Sequence, residues 1–294
     1  MKPVKLISRC FFSSSAILLS ISQVILPSKV RAEIAVCPSD WSTYADVQAY
    51  ADDPTYNGNC RGTPDEYGVT VYKMGFCETE LAAGGAGTTP DYDSCVITYE
   101  NESGEYSSFE SGSSNNLDED YATFPSEGSY NYAFILLGNE IKIKSKFGPF
   151  GDGNTYYTNG DSPDSSGLVG NMSTDSDDYS INTSELNSFD GVGGTCKSVW
   201  SELDDNPSAT DPLKAYLISS TAGSIIPDTG ASGDCSGHNK ILGVMSASIT
   251  ITEDTTSLTS NFSVTDNGTT FWVAEDGTPT GDSGPFNVTF TIEE

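Results

Sequence analysis

The chain is short of positive charge: 13 Lys and Arg stand against 42 Asp and Glu, a formal net of −29. A surface of that sign repels phosphate backbones and anionic headgroups, which excludes nucleic acid and acidic membranes as partners. Histidine is scarcer still. His238 is the only one, so general acid–base chemistry lacks its commonest side chain. No two cysteines form a Cys-x-x-Cys pair, which removes the usual zinc and dithiol signatures. Beyond residue 32 no stretch is long and apolar enough to span a bilayer. A helical apolar stripe is missing outside Ser42 to Tyr50, and nothing repeats at a fixed period.

What is present begins with an export signal. MKPVKLISR is basic, FFSSSAILLSISQVIL is apolar but short and serine-rich, and Val30-Arg31-Ala32 offers a small-residue cleavage site. Residues 1–32 are read as a secretory signal peptide that takes Cys10 with it, so the expected location is secreted, extracellular or cell surface. From Glu33 onward 8 basic residues face 42 acidic ones, −34 net. Such a surface attracts cations and keeps a protein dispersed in saline water, where repulsion is screened over about 8 Å or less. Six cysteines remain: Cys37, Cys60, Cys77, Cys95, Cys196 and Cys235. An even set in an exported chain favours disulfides over metal ligation. Six allow fifteen pairings, and sequence neighbours suggest Cys37–Cys60, Cys77–Cys95 and Cys196–Cys235.

The rest reads as strands. Glu66 to Phe76 and Ser94 to Tyr99 are β-branched and aromatic runs bounded by Gly, Pro and Asp. Tyr130 to Leu137, the pair Gly138-Asn139, and Glu140 to Phe147 predict a hairpin with a tight reversal, Ile141, Ile143 and Phe147 facing the core. Lys142, Lys144 and Lys146 line its other face, a solvated stripe or a dock for an acidic neighbour. From Phe147 to about Asp211 the periodicity stops in favour of Gly, Asp, Ser, Asn and Thr, with only Cys196 to Trp200 looking anchored. Strands resume at Leu213–Ile218, Ile241–Thr252, Ser257–Val264, Thr269–Val273 and Phe286–Ile292. The expected fold is all-β, an antiparallel β-sandwich of about nine strands with a long irregular insertion. Its organisation is a signal peptide (1–32), a disulfide-stapled segment (33–60) and a sandwich domain (61–294) with the insertion at about 148–211.

Two motifs resemble known sites and fail on context. Thr280 to Phe286, TGDSGPF, is similar to the nucleophile loop of trypsin-like proteases. Proline replaces its second glycine, the family's histidine motif is absent, and His238 lies too close in sequence to Ser283 for the two-barrel layout. The stretch is read as a hairpin turn, and no catalytic residue is assigned. Ile226-Pro-Asp-Thr-Gly230 resembles a sortase anchoring signal but lacks the apolar span and basic tail, so it too is read as a turn.

Calcium is the one cofactor for which donors are plentiful, at Asp152 to Asn154, Asp175 to Asp178 and Asp266 to Gly268, although none follows the EF-hand spacing. Trp41, Trp200, Trp272 and the tyrosines could stack on sugars, or simply fill a core. A carboxylate-pair glycosidase is a third reading, without a pair to name.

Glu66 to Cys77 taken with FPSEGSYNYAFILLGNEIKIK, whose Pro125-x-x-Gly-x-Tyr130 leads into a central hairpin, resembles the prealbumin-like β-sandwich modules of bacterial surface and fimbria-associated proteins. The resemblance covers residues 65–147. It implies an exported adhesive or structural module with other surface proteins, or copies of itself, as partners. Phe286, Val288, Phe290 and Ile292 on one face of the last strand mark it as an assembly strand, completing its own sheet or a neighbour's. The function expected is therefore a secreted, acidic surface structural or adhesive protein, with a calcium-dependent glycan-binding module as the alternative.

Overall fold

β-branched and aromatic alternation commits this chain to strands, and its only helical pieces among the described residues are two single 3-10 turns, Glu119–Tyr121 and Ser176–Asp178. The computed structural model describes residues 37, 59–110, 117–149, 153–160, 169–189, 196–201, 213–228, 235–266, 268–273, 279–283 and 286–294. The strands are β1 (Asn59–Gly62), β2 (Glu66–Cys77), β3 (Cys95–Glu110), β4 (Gly128–Lys144), β5 (Lys146–Phe147), β6 (Tyr156–Tyr157), β7 (Val169–Asn171) and β8 (Asn182–Glu185). They continue as β9 (Val199–Ser201), β10 (Lys214–Ser219), β11 (His238–Ile251), β12 (Ser257–Ser263), β13 (Thr269–Val273), β14 (Pro279–Ser283) and β15 (Asn287–Glu293). No described helix is long and apolar enough to cross a membrane.

The main sheet runs β3-β2-β4-β11-β10-β9, with β8 joining the far half of β4, and every ladder in it is antiparallel. β12 and β15 form a two-stranded layer over one face of it. Tyr67, Val69, Val71 and Met74 of β2, with Ile135, Ile141 and Ile143 of β4, meet Phe262 and Val264 there, and Phe286 and Val288 pack alongside. Phe76, Ala133 and Ile249 meet Leu258, with Phe290 and Ile292 alongside. This two-layer packing is the antiparallel sandwich expected. The other face of the sheet carries Phe134, Leu136, Tyr216, Leu242 and Val244, closed over by Leu81 and Ala82 of the loop after β2. A second sheet, β1-β13-β14-β7, is joined to the body by Phe147 stacked on Phe271, ring centroids 4.3 Å apart.

Two expected pairings of cysteines are present. Cys77 and Cys95 are direct register partners at the ends of β2 and β3, Cα–Cα 4.0 Å, and close the loop that covers the second face. Cys196–Cys235 ties the segment before β9 to the segment before β11. Cys37 donates its N–H to the Arg61 carbonyl at 2.7 Å, which sets it beside β1, but the Cys60 side chain lies outside the described residues, and with it the third expected pair. Trp41 and the Ser42 to Tyr50 stripe also lie outside them.

Three local expectations are corrected. The hairpin at Gly138-Asn139 is not a reversal: β4 runs straight through it as one 17-residue strand. Val69 pairs with Ile141 and Val71 with Leu137, so Gly138 to Glu140 form a bulge, where β4 exchanges β11 for β8 on its other edge. A bulge recruits the same Gly and Asn as a turn. Asn139 is buried there, its amide donating to Glu185 Oε1 at 3.0 Å. The second correction is TGDS, which is strand β14 rather than a turn, held between β13 and β7. The third is the insertion. Between 148 and 211 the described residues include β6, β7, β8 and β9, short strands paired to β5, β14, β4 and β10. Pairing to an existing edge fixes polar segments that carry no periodicity of their own.

Candidate assembly edge

The β12–β15 layer is built by strict alternation. In SLTSNFS, Leu258, Ser260 and Phe262 point inward and are buried, while Ser257, Thr259, Asn261 and Ser263 are half-exposed. In β15 the inward row is Val288, Phe290 and Ile292, continued by Phe286 just before the strand. Phe286 meets the rings of Tyr67 (6.2 Å between centroids) and Phe262 (5.7 Å), and Phe290 meets Phe76 edge-on at 5.1 Å. The four residues singled out from the sequence therefore share one face, and that face packs on this molecule's own core. All four are only half-buried, unlike Leu258 at 2% and Phe262 at 8% exposure. The layer is complete at β12 and unfinished at β15.

The ladder runs from Ser257↔Glu293 to Ser263↔Asn287 without a shift. Asn261 Nδ2 donates to Thr291 Oγ1 at 3.2 Å and Ser257 Oγ to Glu293 Oε2 at 2.8 Å, which fixes the outward face. Among the described residues neither strand has a partner on its other edge. β12 holds no ionisable side chain and β15 only Glu293. One outer strand of the main sheet is different: β3 carries Glu100, Glu102, Glu105 and Glu110, the charge that blunts a sheet edge against foreign strands, while the three-residue β9 at the opposite edge is short and uncharged. Glu105 is also occupied internally, accepting from the Tyr99 hydroxyl at 2.6 Å and from the Asp118 N–H. Burial, then that bond to a carboxylate, push the Tyr99 hydroxyl far above its ordinary value.

The lysine stripe of β4 and β5 is spent within the fold. Lys142 lies 5.0 Å from the Tyr106 ring centre, Lys144 lies 4.5 Å from that of Tyr179, and Lys146 forms an ion pair with Asp65 at 2.9 Å. Tyr179 donates to the same carboxylate. Burial alone would raise the Asp65 carboxyl. Hydrogen bonds from Lys146 and Tyr179, and the charges of Lys146 and Lys144, nevertheless hold it below its usual 3.8. Elsewhere Lys73 sits over Tyr92, Lys240 over Tyr72 and Lys214 against Glu80. Sequence reading missed these pairs because the tyrosines and acids come from remote segments.

The remaining candidates do not converge. Ser283 ends β14, opposite Thr269, whereas His238 opens β11 in the other sheet and donates from Nε2 to the Leu186 carbonyl at 2.9 Å. Asp175 caps its own 3-10 turn through the Asp177 N–H, and Asp178 accepts from Ser173 Oγ at 2.6 Å. No group of three or more His, Cys, Asp or Glu among the described residues is placed to hold a metal ion. Asp152, Asn267 and the Trp272 side chain lie outside those residues, and Trp200 is half-buried in β9. Asp228, in the sortase-like stretch, accepts from the Ser198 N–H at 2.7 Å and pins that loop. Among the described residues the exposed aromatic rings are Tyr106 and Tyr121. Comparison of the chain with known protein families, curated proteins and solved structures finds no match.

Proposed function

We propose that this protein is an exported structural or adhesive component of a cell surface, a subunit that joins a larger assembly through the β12–β15 layer. The observation that carries the reading is the contrast between long edges: in a chain of net −29, the layer with unpaired edges is nearly free of charge, while β3, the long outer strand of the main sheet, bears four glutamates. Extended neutral edges add further strands through main-chain hydrogen bonds. Two internal disulfides suit an oxidising compartment, and the basic and apolar first 32 residues suit export. The test is electron microscopy and sedimentation of oxidised residues 33–294 over a range of concentrations. Filaments, arrays or concentration-dependent oligomers support the reading, and dispersed monomers at every concentration refute it.

One observation favours glycan binding as a second reading. The Tyr106 ring is 46% exposed and its tip lies across Gly68, beside Lys142, an open aromatic surface on a rigid sheet. Calcium would serve this reading as a ligand-bridging ion. Loss of glycan retention in Tyr106→Ala, with unchanged melting, supports it; a glycan array with no binder at any calcium level rejects it.

A further inference from the structure

We infer that Asn261, on the outward face of β12, is an N-glycosylation site of the exported protein. The inference goes beyond the assembly reading and does not depend on it. Six Asn-x-Ser/Thr triplets without a middle proline stand in the chain, at Asn101, Asn171, Asn182, Asn261, Asn267 and Asn287. In an exported chain each is an acceptor by sequence. The attached sugar is bulky and hydrated, so only an asparagine whose side chain ends in solvent can carry one in the folded protein.

Burial separates the six. Asn182 is 1% exposed, with its Oδ1 accepting from the Gly160 N–H, and Asn101 is 8% exposed, with its Oδ1 accepting from the Ser103 N–H at 3.0 Å. Neither has room for a sugar. The side chains of Asn171, Asn267 and Asn287 lie outside the described residues. Asn261 is half-exposed in the outward row of Ser257, Thr259 and Ser263, and Thr289 and Thr291 across the ladder are exposed. Phe262, the middle residue of its triplet, is buried in the core, which by strand alternation fixes Asn261 and Ser263 on the solvent side. Its Nδ2 gives one hydrogen to Thr291 Oγ1 and holds a second.

Charge supplies an independent reason. Thr255 to Thr265 contains no ionisable residue in a chain with 42 acidic ones, so this face lacks what keeps the rest of the molecule dispersed. A glycan supplies hydration there. It projects from the face of the layer, whereas the main-chain donors and acceptors of both edges lie in its plane, so the edges stay open. The step is glycosyl transfer from a polyprenyl-diphosphate-linked oligosaccharide. Nδ2 attacks the anomeric carbon of the reducing-end sugar; the new C–N bond forms as the bond from that carbon to the diphosphate oxygen breaks. Nδ2 gives up one proton and the lipid diphosphate leaves. The secondary amide that results keeps one N–H, enough for the bond to Thr291.

The test is a peptide map of protein recovered from its source cells, by mass spectrometry with electron-transfer fragmentation, which leaves sugars on their residues. A glycan on Asn261 and none on Asn101 or Asn182 is expected. Ser263→Ala, expressed in the same cells, should lose the glycan at Asn261, and Ser263→Thr should keep it, because transfer requires a hydroxyl two residues on. Ser263 lies on the outward face, so neither substitution opens the core. A bare Asn261 in the wild-type protein overturns the inference, as does a glycan there that survives Ser263→Ala. A glycan on Asn101 or Asn182 overturns the sorting by burial that selects Asn261.

Discussion

The best-defined residues here are those that commit a scarce cation to a tyrosine or an acid. Asp65 titrates lower folded than unfolded, so its contribution is complete above its ordinary value of 3.8 and fades as pH falls through it. The Tyr179→Phe variant, which removes one hydrogen bond to that carboxylate, should therefore lose less melting temperature than wild type on acidification from about pH 5 to 3. Parallel acid limbs in thermal scans would show that the bond contributes nothing. The alkaline side has the opposite sign. Burial, with Glu100 and Glu80 nearby, pushes the Tyr92 and Tyr216 hydroxyls up to about 12 from 10.0. Their contribution is whole below pH 10 and is lost as pH rises from there to about 12, so part of the tyrosinate absorbance should appear together with unfolding. Glycines divide by what stands over them. A methyl at Gly75 would lie 2.3 Å from the Val96 carbonyl oxygen and 2.8 Å from the Phe134 ring, and neither can move freely. Gly75→Ala should cost on the order of 1–3 kcal/mol in urea unfolding. At Gly68 the obstacle is the tip of the half-exposed Tyr106, which can swing away, so Gly68→Ala should cost far less.

Among elements, the disulfides make a ranked prediction. Cys77–Cys95 closes 18 residues of sequence and Cys196–Cys235 closes 39. Chain entropy puts their removal at about 3 and about 4 kcal/mol, so the double Ala variant of the second pair should show the lower denaturant midpoint. The last strand is equally testable. Phe290→Ala removes a half-buried ring from Phe76 and should cost on the order of 2–3 kcal/mol, less than a fully buried phenylalanine. An unchanged midpoint would mean that β15 is not part of the monomer's core. Strands with period-two alternation, such as β2, β11, β12 and β15, were legible in the sequence. The second half of β3 was not, because ENESGEYSSFE is held by pairing to β2 around a bulge at Gly104 (φ 74°) and not by apolar content. Gly138-Asn139 and TGDS failed for a related reason: turn-forming residues also serve in bulges and against a neighbouring strand, and sequence does not say which neighbour is present. The apolar row of the candidate edge was legible from alternation alone. Its status as an edge depends on which strands lie beside it, although one clue was available, the uncharged stretch Thr255 to Thr265 in so acidic a chain.

For the whole molecule, charge sets the conditions of association. Copies of net −29 repel at long range, and added salt shortens that repulsion from about 10 Å at 0.1 M to about 3 Å at 1 M. Hydrogen-bonded edges and apolar rows are little affected by the same salt, so association should strengthen between 0.1 and 1 M sodium chloride. Sedimentation that shows the reverse would point to an interface made of ion pairs. The placement of the few lysines has one more consequence. Beyond residue 36 every Lys and Arg lies within a strand except Lys197, and Lys197 is held by backbone bonds to Ser188 and Phe189. A trypsin-type protease needs a basic residue on a segment that can be drawn into its cleft. This molecule's loops offer it only the anchored Lys197, whereas proteases that cut after acidic residues find sites throughout, so the folded chain should be digested far faster by the second class than by the first.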